Sequence, residues 1–346
     1  MLRSTGYLLP RGGGSKPALS AAREAATLLD LRGLTGILEY EPGEYTITAR
    51  AGTPVAEVQA ALAENGQYLP FDPLLVDAGA TLGGTVAAGL SGSGRYRYGG
   101  VRDFLIGVRF IDGQGREVRG GGKVVKNAAG FDLPKLMVGS LGRLGVLVEV
   151  SFKVFPRPQS YASLRADYPT LQTALAAMQQ IANARLDIDA LDIAVTPDKY
   201  TLWVRLGGWE AVLPQRIAQV RAVLGVGAEL SGPAEADAWS TVREFAWAPA
   251  GWSLVKVPTT PGKLGLLDER LATSPTIRRY GVGGNLTWIA SPAPVADLDN
   301  LLASLGLSGL VLRGAVADPR IGAQNGQEFA RRVKQALDPG GKFLGL

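Results

Sequence analysis

The stretch Gly79–Val150 decides the fold. It holds three glycine-rich runs, GATLGGTVAAG at 79–89, RYRYGGVRD at 95–103 and GSLGRLGVLVEV at 139–150, with GGKVVKNAAGFDLPKL at 121–136 between the second and third. Glycine loses more backbone freedom on folding than any other residue. So many glycines beside Val, Leu and Phe strand material imply a backbone pressed against an object that leaves no room for Cβ atoms. A long ligand carrying phosphates is the commonest such object, because main-chain amides hold anions.

Upstream of this stretch, Tyr7–Pro10 reads as a short apolar strand running into Arg11-Gly12-Gly13-Gly14-Ser15-Lys16. Three consecutive glycines let successive N–H groups converge on an anion, and Arg11 and Lys16 supply charge. A flexible turn is the plainer alternative. No G-x-x-x-x-G-K-[ST] occurs in the chain, so the loop is not a Walker loop. Tyr45–Arg50 alternates like a strand. Thr53 and Pro54 then read as the N-cap and first position of a helix over Val55–Asn65, which Gly66 stops. Thr81 precedes a short helix, Leu82–Gly89, whose small residues suit close packing and whose first amides suit a pyrophosphate.

Downstream, Val101–Ile111 reads as a strand, Asp112–Gly115 as a hairpin turn and Glu117–Arg119 as the returning strand. Val124–Lys126 resembles a strand and Asp132–Val138 a helical turn. Gly145–Val154 is a strand ended by Pro156 and Pro158, a pair that marks a domain boundary. Beyond it the glycine-rich character is lost. Strands over Ser163–Tyr168, Leu191–Val195, Tyr200–Leu206, Trp252–Val257, Asn285–Ala290 and Gly309–Gly314 are interspersed with amphipathic helices over Leu171–Ala184, Ala211–Leu224, Ala234–Trp247, Val295–Leu305 and Gln327–Leu337. That pattern is α+β.

Composition sets the chemical limits. A chain of 346 residues favours about two domains, and 46% apolar content is enough to build cores. No run approaches the ~20 apolar residues of a membrane span, and MLRSTGYLLPR has no apolar core of a signal peptide, so a cytoplasmic protein is expected. The absence of cysteine excludes disulfides, thiolate metal sites and cysteine nucleophiles. The absence of histidine removes the usual base near neutral pH, the commonest metal ligand and every Ser-His-Asp arrangement. No metal site is therefore expected, and any redox chemistry must come from a cofactor. The formal charge of +5 suits an anionic ligand. The scattered Lys and Arg, with no recognisable motif, argue against nucleic acid.

Six blocks occur in one order: RGGGSK, EYEPGEYTITARAGTPVAEVQAAL, GATLGGTVAAGLSG, RYRYGGVRDFLIGVRFIDGQGREV, KVVKNAAGFDLPKLMVGSLGRLGVLVEVSFKVFPRP and the closing ALDPGGKF. Together they resemble the FAD-binding proteins of the vanillyl-alcohol oxidase and p-cresol methylhydroxylase (PCMH) type, best over Leu8 to about Pro158. The KNAAGFDLPKLMVGS segment and the final LDPGGKF narrow the likeness to glycolate oxidase-type subunits. The resemblance implies an α+β chain: a two-subdomain PCMH-type FAD-binding domain over 1–158, with a shortened N-terminal βα unit, and a smaller α+β, ferredoxin-like cap domain over 159–346.

Carried over by position, Arg11, Gly12, Gly13, Gly14, Ser15 and Lys16 would clasp the FAD pyrophosphate. Gly79, Ala80, Thr81, Leu82, Gly83, Gly84 and Gly89 would line the pyrophosphate and ribityl path. Tyr98, Gly99, Arg102 and Asp103 would sit near the flavin, with a structural salt bridge as the alternative for Arg102 and Asp103. Gly139, Gly142, Gly145 and Val146 would follow the adenine half, and Pro73 and Asn127 complete the set. With no imidazole available as a tether, the FAD is expected to be non-covalent.

The resemblance further implies an oxidoreductase acting on a small 2-hydroxy acid with a larger FAD subunit and an iron–sulfur subunit, with membrane association only through those partners. Oxidising a hydroxy acid needs a hydride acceptor, a base and a cation for the carboxylate. Arg95 and Arg102 are candidates for the cation. Lys126 and Tyr98 are poor candidates for the base, and no catalytic residue is assigned. The subunit is therefore expected not to act alone. A non-catalytic assembly subunit with a degenerate FAD site and a stand-alone flavoenzyme on another substrate are the alternatives.

Overall fold

The computed structural model of the chain describes residues 6–21, 26–122 and 131–345. They form two compact units. The first is made of Met1–Gly92, Gly99–Arg157 and Asn325–Leu346, and the second of Ser93–Tyr98 and Pro158–Gln324.

In the first unit, β1 (Tyr7–Arg11) pairs in parallel with β2 (Ala26–Asp30). Next come β3 (Ile37–Glu41), β4 (Thr46–Arg50), α1 (Val55–Ala63), β5 (Gln67–Tyr68) and α2 (Leu82–Ala88). A single turn, α3 (Arg95–Tyr98), belongs to the second unit. The first unit resumes with α4 (Val101–Phe104), β6 (Leu105–Ile111), β7 (Glu117–Gly121), α5 (Leu133–Met137), β8 (Val146–Lys153) and β9 (Phe155–Pro156). Five strands form an antiparallel sheet in the order β3-β4-β8-β6-β7. Strand alternation sends Ile47, Phe110, Val150 and Phe152 to one buried face. That core also holds Val55, Val58 and Leu62 of α1, Leu82 and Val86 of α2, and Phe71, whose ring centroid lies 5.5 Å from that of Phe152.

Local chemistry overrides the sequence reading at two places. The N-cap of α1 is Pro54. The Thr53 hydroxyl instead accepts from the Gly36 N–H at 3.0 Å, tying the loop before β3 to the start of the helix. Val101–Ile111 is not one strand, because its first four residues form α4. The Gly100 N–H donates to Asp103 Oδ2 at 2.7 Å, and the Asp103 N–H returns to the Gly100 carbonyl at 2.8 Å, which closes a turn before β6 begins. The strand expected at Val124–Lys126 lies outside the described residues.

The second unit is built on one nine-stranded sheet. Its elements are β10 (Ser160–Tyr168), α6 (Leu171–Asn183), β11 (Ala190–Thr196), β12 (Lys199–Gly208), α7 (Leu213–Leu224), β13 (Ala228–Ser231), α8 (Gly232–Arg243), β14 (Ser253–Pro258), α9 (Pro261–Leu271), β15 (Ile277–Gly281), β16 (Leu286–Ser291), α10 (Val295–Ser304), β17 (Ser308–Arg313) and β18 (Arg320–Gly322). The sheet order is β13-β10-β12-β11-β15-β16-β14-β17-β18. Two βαββαβ units are legible in that order. The first runs β10-α6-β11-β12-α7-β13 with spatial order 4-1-3-2, and the second runs β14-α9-β15-β16-α10-β17 with the mirrored order 2-3-1-4. They join edge to edge through the antiparallel pair β11–β15. The ferredoxin-like fold expected once is thus present twice. The sequence reading contained no helix at Pro261–Leu271 and no strand at Ile277–Gly281, two elements of the second copy.

The final helix, α11 (Gln327–Leu337), and the tail after it group with the first unit. This departs from the sequence-based division, which ran the second domain to 346. Asp338 is the reason. Its buried carboxylate accepts from the N–H groups of Lys342 (2.7 Å) and Phe343 (2.9 Å) and from the Lys334 ammonium. The turn it holds lets Lys342 offer its carbonyl to the Leu8 N–H at 2.7 Å, and Phe343 packs with Leu8 and Val146. The closing DPGGKF therefore adds a strand-like partner to β1.

Candidate functional site: an anion cradle at the end of β1

Strand β1 delivers the loop Arg11–Lys16, and β2 fixes its base through the Leu31 N–H, which donates to the Arg11 carbonyl at 2.8 Å. The glycines of the loop are required by the protein itself. A Cβ on Gly13 would lie 1.7 Å from the Gly79 carbonyl oxygen, and one on Gly12 would lie 2.2 Å from Thr81 Oγ1. Loop 11–16 and loop 79–81 are thus in backbone contact. At Gly14 (φ +73°) the missing side chain leaves room for the Arg11 guanidinium. With the glycine faces taken up by protein, the N–H groups of Gly12, Gly13, Gly14 and Ser15 have no hydrogen-bond partner among the described residues. Four successive free amides make a ready anion site.

The loop forms one wall of a cleft that is partly open to solvent. Thr81, Gly83, Gly84, Ala87 and Ala88 form a second wall, Ser140, Leu141 and Gly142 a third, and Leu31 and Ala51 complete it. Gly142 holds the third wall close to the first, since a Cβ there would touch the Pro10 ring at 3.3 Å. Arg11 and Lys16 are the charged residues of this lining among the described residues, which contribute no carboxylate to it. Lys16 is 7% exposed, and its ammonium bonds Ser15 Oγ at 2.8 Å. Burial lowers its pKa to about 8. Arg11 Nε and Ser140 Oγ are buried and without a hydrogen-bond partner. Unpaired buried polar atoms are rare and costly. A positive, carboxylate-free cavity with free amides and two orphaned polar groups fits the phosphate portion of a dinucleotide.

The structure gathers part of the residue set expected from sequence. Arg11, Gly12, Gly13, Gly14, Ser15, Lys16, Thr81, Gly83, Gly84, Gly142 and Gly145 line the cavity. Gly79 touches the loop from behind. Ala80 is held by backbone bonds, its N–H to the Leu75 carbonyl and its carbonyl to the Val55 N–H, and Leu82 is wholly buried in the core. Gly89 caps α2 with φ +61°, where a Cβ would strike the Gly139 backbone at 3.2 Å, and the Gly139 N–H donates to the Val86 carbonyl. Those two glycines join the second and third walls. Val146 is a core residue against Leu8 and Phe343, and Pro73 is buried away from the lining. Asn127 and Lys126 lie outside the described residues.

The expected role of α2 is corrected. Its first amides are already engaged: Leu82 N–H to the Thr53 carbonyl (3.0 Å), Gly83 N–H to the Ala51 carbonyl (2.8 Å) and Gly84 N–H to Thr81 Oγ1 (3.3 Å). The amides left for an anion are those of the Arg11–Lys16 loop. In the second glycine run, Gly99 and Asp103 brace a turn, since a Cβ on Gly99 would meet Asp103 Oδ2 at 2.5 Å. Asp103 therefore braces the turn through the Gly100 N–H, not through the salt bridge given as the alternative, while Arg102 is exposed. Tyr98 belongs to the second unit, where the Arg97 guanidinium lies 5.2 Å from its ring and pairs with Asp189 at 3.3 Å. Ser140, Ala87, Ala88 and Leu141 were not selected from sequence. Ser140 stands inside the GSLGRLG run, where attention went to the glycines.

Comparison with known proteins gives four findings. A model of the FAD binding domain matches residues 4–121. The Escherichia coli (strain K12) glycolate oxidase subunit GlcE is 37% identical over 97% of this chain and 91% of its own length. Glycolate oxidase subunit GlcD of Bacillus subtilis (strain 168) is 30% identical over 52% of this chain, which spans 38% of that protein. Among solved structures, alkyldihydroxyacetonephosphate synthase superposes with a TM-score of 0.71 at 18% identity, over 99% of this chain and 72% of that one, a likeness of fold.

Proposed function

This chain belongs to the family of the glycolate oxidase subunit GlcE, PCMH-type FAD-binding oxidoreductases, and we propose that it is the subunit of a glycolate oxidase-type complex that holds FAD non-covalently and does not oxidise substrate by itself. The observation that carries the reading is the Arg11–Lys16 loop, with its run of amides free among the described residues and two cations in a cavity to which those residues contribute no carboxylate. In this reading the Gly12–Ser15 amides and the Lys16 ammonium hold the pyrophosphate, and the small residues of α2 leave width for the rest of the cofactor. When bound, FAD supplies the hydride acceptor.

Among the described residues no group is an evident base. The chain has no histidine, and among the described residues no cluster of His, Cys, Asp or Glu is arranged to hold a metal. Tyr98 has a marginal 3.5 Å contact to Asp189, itself raised by burial and already bonded to the Gly207 N–H. The proton-accepting group for a 2-hydroxy acid would therefore come from a partner subunit, as would an iron–sulfur relay. GlcE and GlcD are each named as a glycolate oxidase subunit, which supports a complex of more than one chain. Among the described residues no helix is long and apolar enough to cross a membrane, so any membrane attachment would run through partners.

The test has two arms. The isolated chain loaded with FAD is mixed anaerobically with glycolate and then with D-lactate, and its flavin spectrum should not bleach. The same chain co-expressed with its untagged neighbours should retain a larger flavin subunit and an iron–sulfur subunit on purification, and that assembly should bleach. Rapid bleaching of the isolated chain would refute the dependent role.

A further inference from the structure

We propose that Ser140 Oγ, together with Arg11 Nε, is a direct hydrogen-bonding ligand of the dinucleotide phosphates, which deepens the reading above and rests on it. Both residues line the same cavity, and both atoms are buried without a partner among the described residues. Ser140 is 7% exposed, and its main chain is fully used: its N–H donates to the Met137 carbonyl at 3.2 Å and its carbonyl accepts from the Arg143 N–H at 2.9 Å. Only the hydroxyl remains. A single torsion, χ1, separates its three staggered positions, so it can turn to an incoming oxygen without moving the backbone. The Gly142–Pro10 contact fixes the Ser140 loop beside the residue that precedes Arg11. Arg11 carries the complementary donor, because its guanidinium is folded against Gly14 and its Nε has no acceptor. A buried hydroxyl with no partner is a net cost to folding. A charged phosphate oxygen is the acceptor that would offset it.

This gives Ser140 a signature that a packing residue does not have. Replacing Ser140 with Ala removes the unsatisfied group, so the nucleotide-free chain should melt at the same temperature or higher. The same change should weaken FAD and ADP binding by about ten-fold or more, the usual loss for one hydrogen bond to a charged group. Arg11→Lys keeps the charge, removes Nε, and should weaken both probes as well. Calorimetric titration with FAD and with ADP, beside thermal melts, reads all of these. Unchanged affinity of S140A for both probes would overturn the assignment while leaving the FAD reading intact. A lowered melting temperature together with lost affinity would make Ser140 structural and also overturn it. Failure of the unaltered chain to bind either probe would overturn both.

Discussion

Gly13→Ala is the sharpest perturbation of the cradle. A Cβ at this position would sit 1.7 Å from the Gly79 carbonyl oxygen and 2.9 Å from its carbon. Non-bonded carbon and oxygen rest at roughly 3.3 Å or more, so the two loops must separate by about 1.5 Å. The obstacle is backbone on both sides, and no rotamer change relieves it. Overpacking of this kind costs about 1–3 kcal/mol of stability. The larger effect falls on binding. A shift of that size breaks hydrogen bonds from the loop amides to a phosphate, each worth about 1.5–3 kcal/mol when the acceptor is charged. Loss of two such bonds weakens FAD by about 10²- to 10⁴-fold. Gly33→Ala is the control, because a Cβ there meets nothing within 4 Å. Gly12→Ala is the intermediate case. Its clash is with Thr81 Oγ1, so Gly12→Ala with Thr81→Ala should bind FAD better than Gly12→Ala alone, despite the loss of the α2 cap. Flavin retention after gel filtration and a fluorescence titration of added FAD read the series. A Gly13→Ala chain that binds FAD as tightly as the Gly33→Ala control would refute the reasoning.

Three further outcomes are expected. Asp338→Ala takes the acceptor from the Lys342 and Phe343 amides and the carboxylate from the Lys334 ammonium, which keeps the Arg143 and Phe343 carbonyls; this should cost about 3 kcal/mol, loosen the tail from β1, and appear as faster amide exchange at Leu8. Lys16 titrates near 8, below the usual lysine value because of burial, so the unfolded chain binds more protons between about pH 8 and pH 10.4. Folding stability should then rise with pH across that window, while FAD affinity falls above about pH 8 as the ammonium is lost, and a Lys16→Met chain should show a flat affinity profile. In the second unit Asp268 is buried and accepts from Arg278 Nε (2.7 Å), Tyr200 OH (2.7 Å) and Tyr280 OH. Asp268→Ala should lower stability by about 3–5 kcal/mol, measured by denaturant titration, because it strands a buried guanidinium.

The first half of the fold was legible because its signals are local. Strand alternation in Tyr45–Arg50 and the Asp112–Gly115 turn, with Asp112 Oδ1 accepting from the Gln114 and Arg116 amides, each follow from residues close in sequence. The duplication in the second unit was not legible. Its two copies share an order of strands and helices, and that order emerges only when β11 and β15 pair across 80 residues of chain. The tail's return to β1 was hidden for the same reason, since DPGGKF looks like a loop until Asp338 gathers its amides.

The site was legible in outline and misread in detail. Glycines were taken to make way for a ligand. At Gly12, Gly13, Gly83 and Gly89 they make way for Thr81, Gly79, Ala51 and Gly139 instead; the Gly83 and Gly89 amides are bonded within the protein, and those of Gly12 and Gly13 have no partner among the described residues. The set carried over by position includes Gly139 and Val146 and not Ser140, whose buried, unpartnered hydroxyl no sequence pattern reports.

In the proposed function the chain borrows its redox group, holding FAD by its phosphates and without a covalent bond. The most direct measurement is the flavin content of the purified chain, read as a visible spectrum before denaturation and as the identity of the flavin released afterwards. The account predicts a yellow protein, or one that becomes yellow on reconstitution, that releases close to equimolar FAD into the supernatant. A colourless chain that takes up no FAD at micromolar concentrations, or a flavin that stays with the precipitated polypeptide, would contradict it.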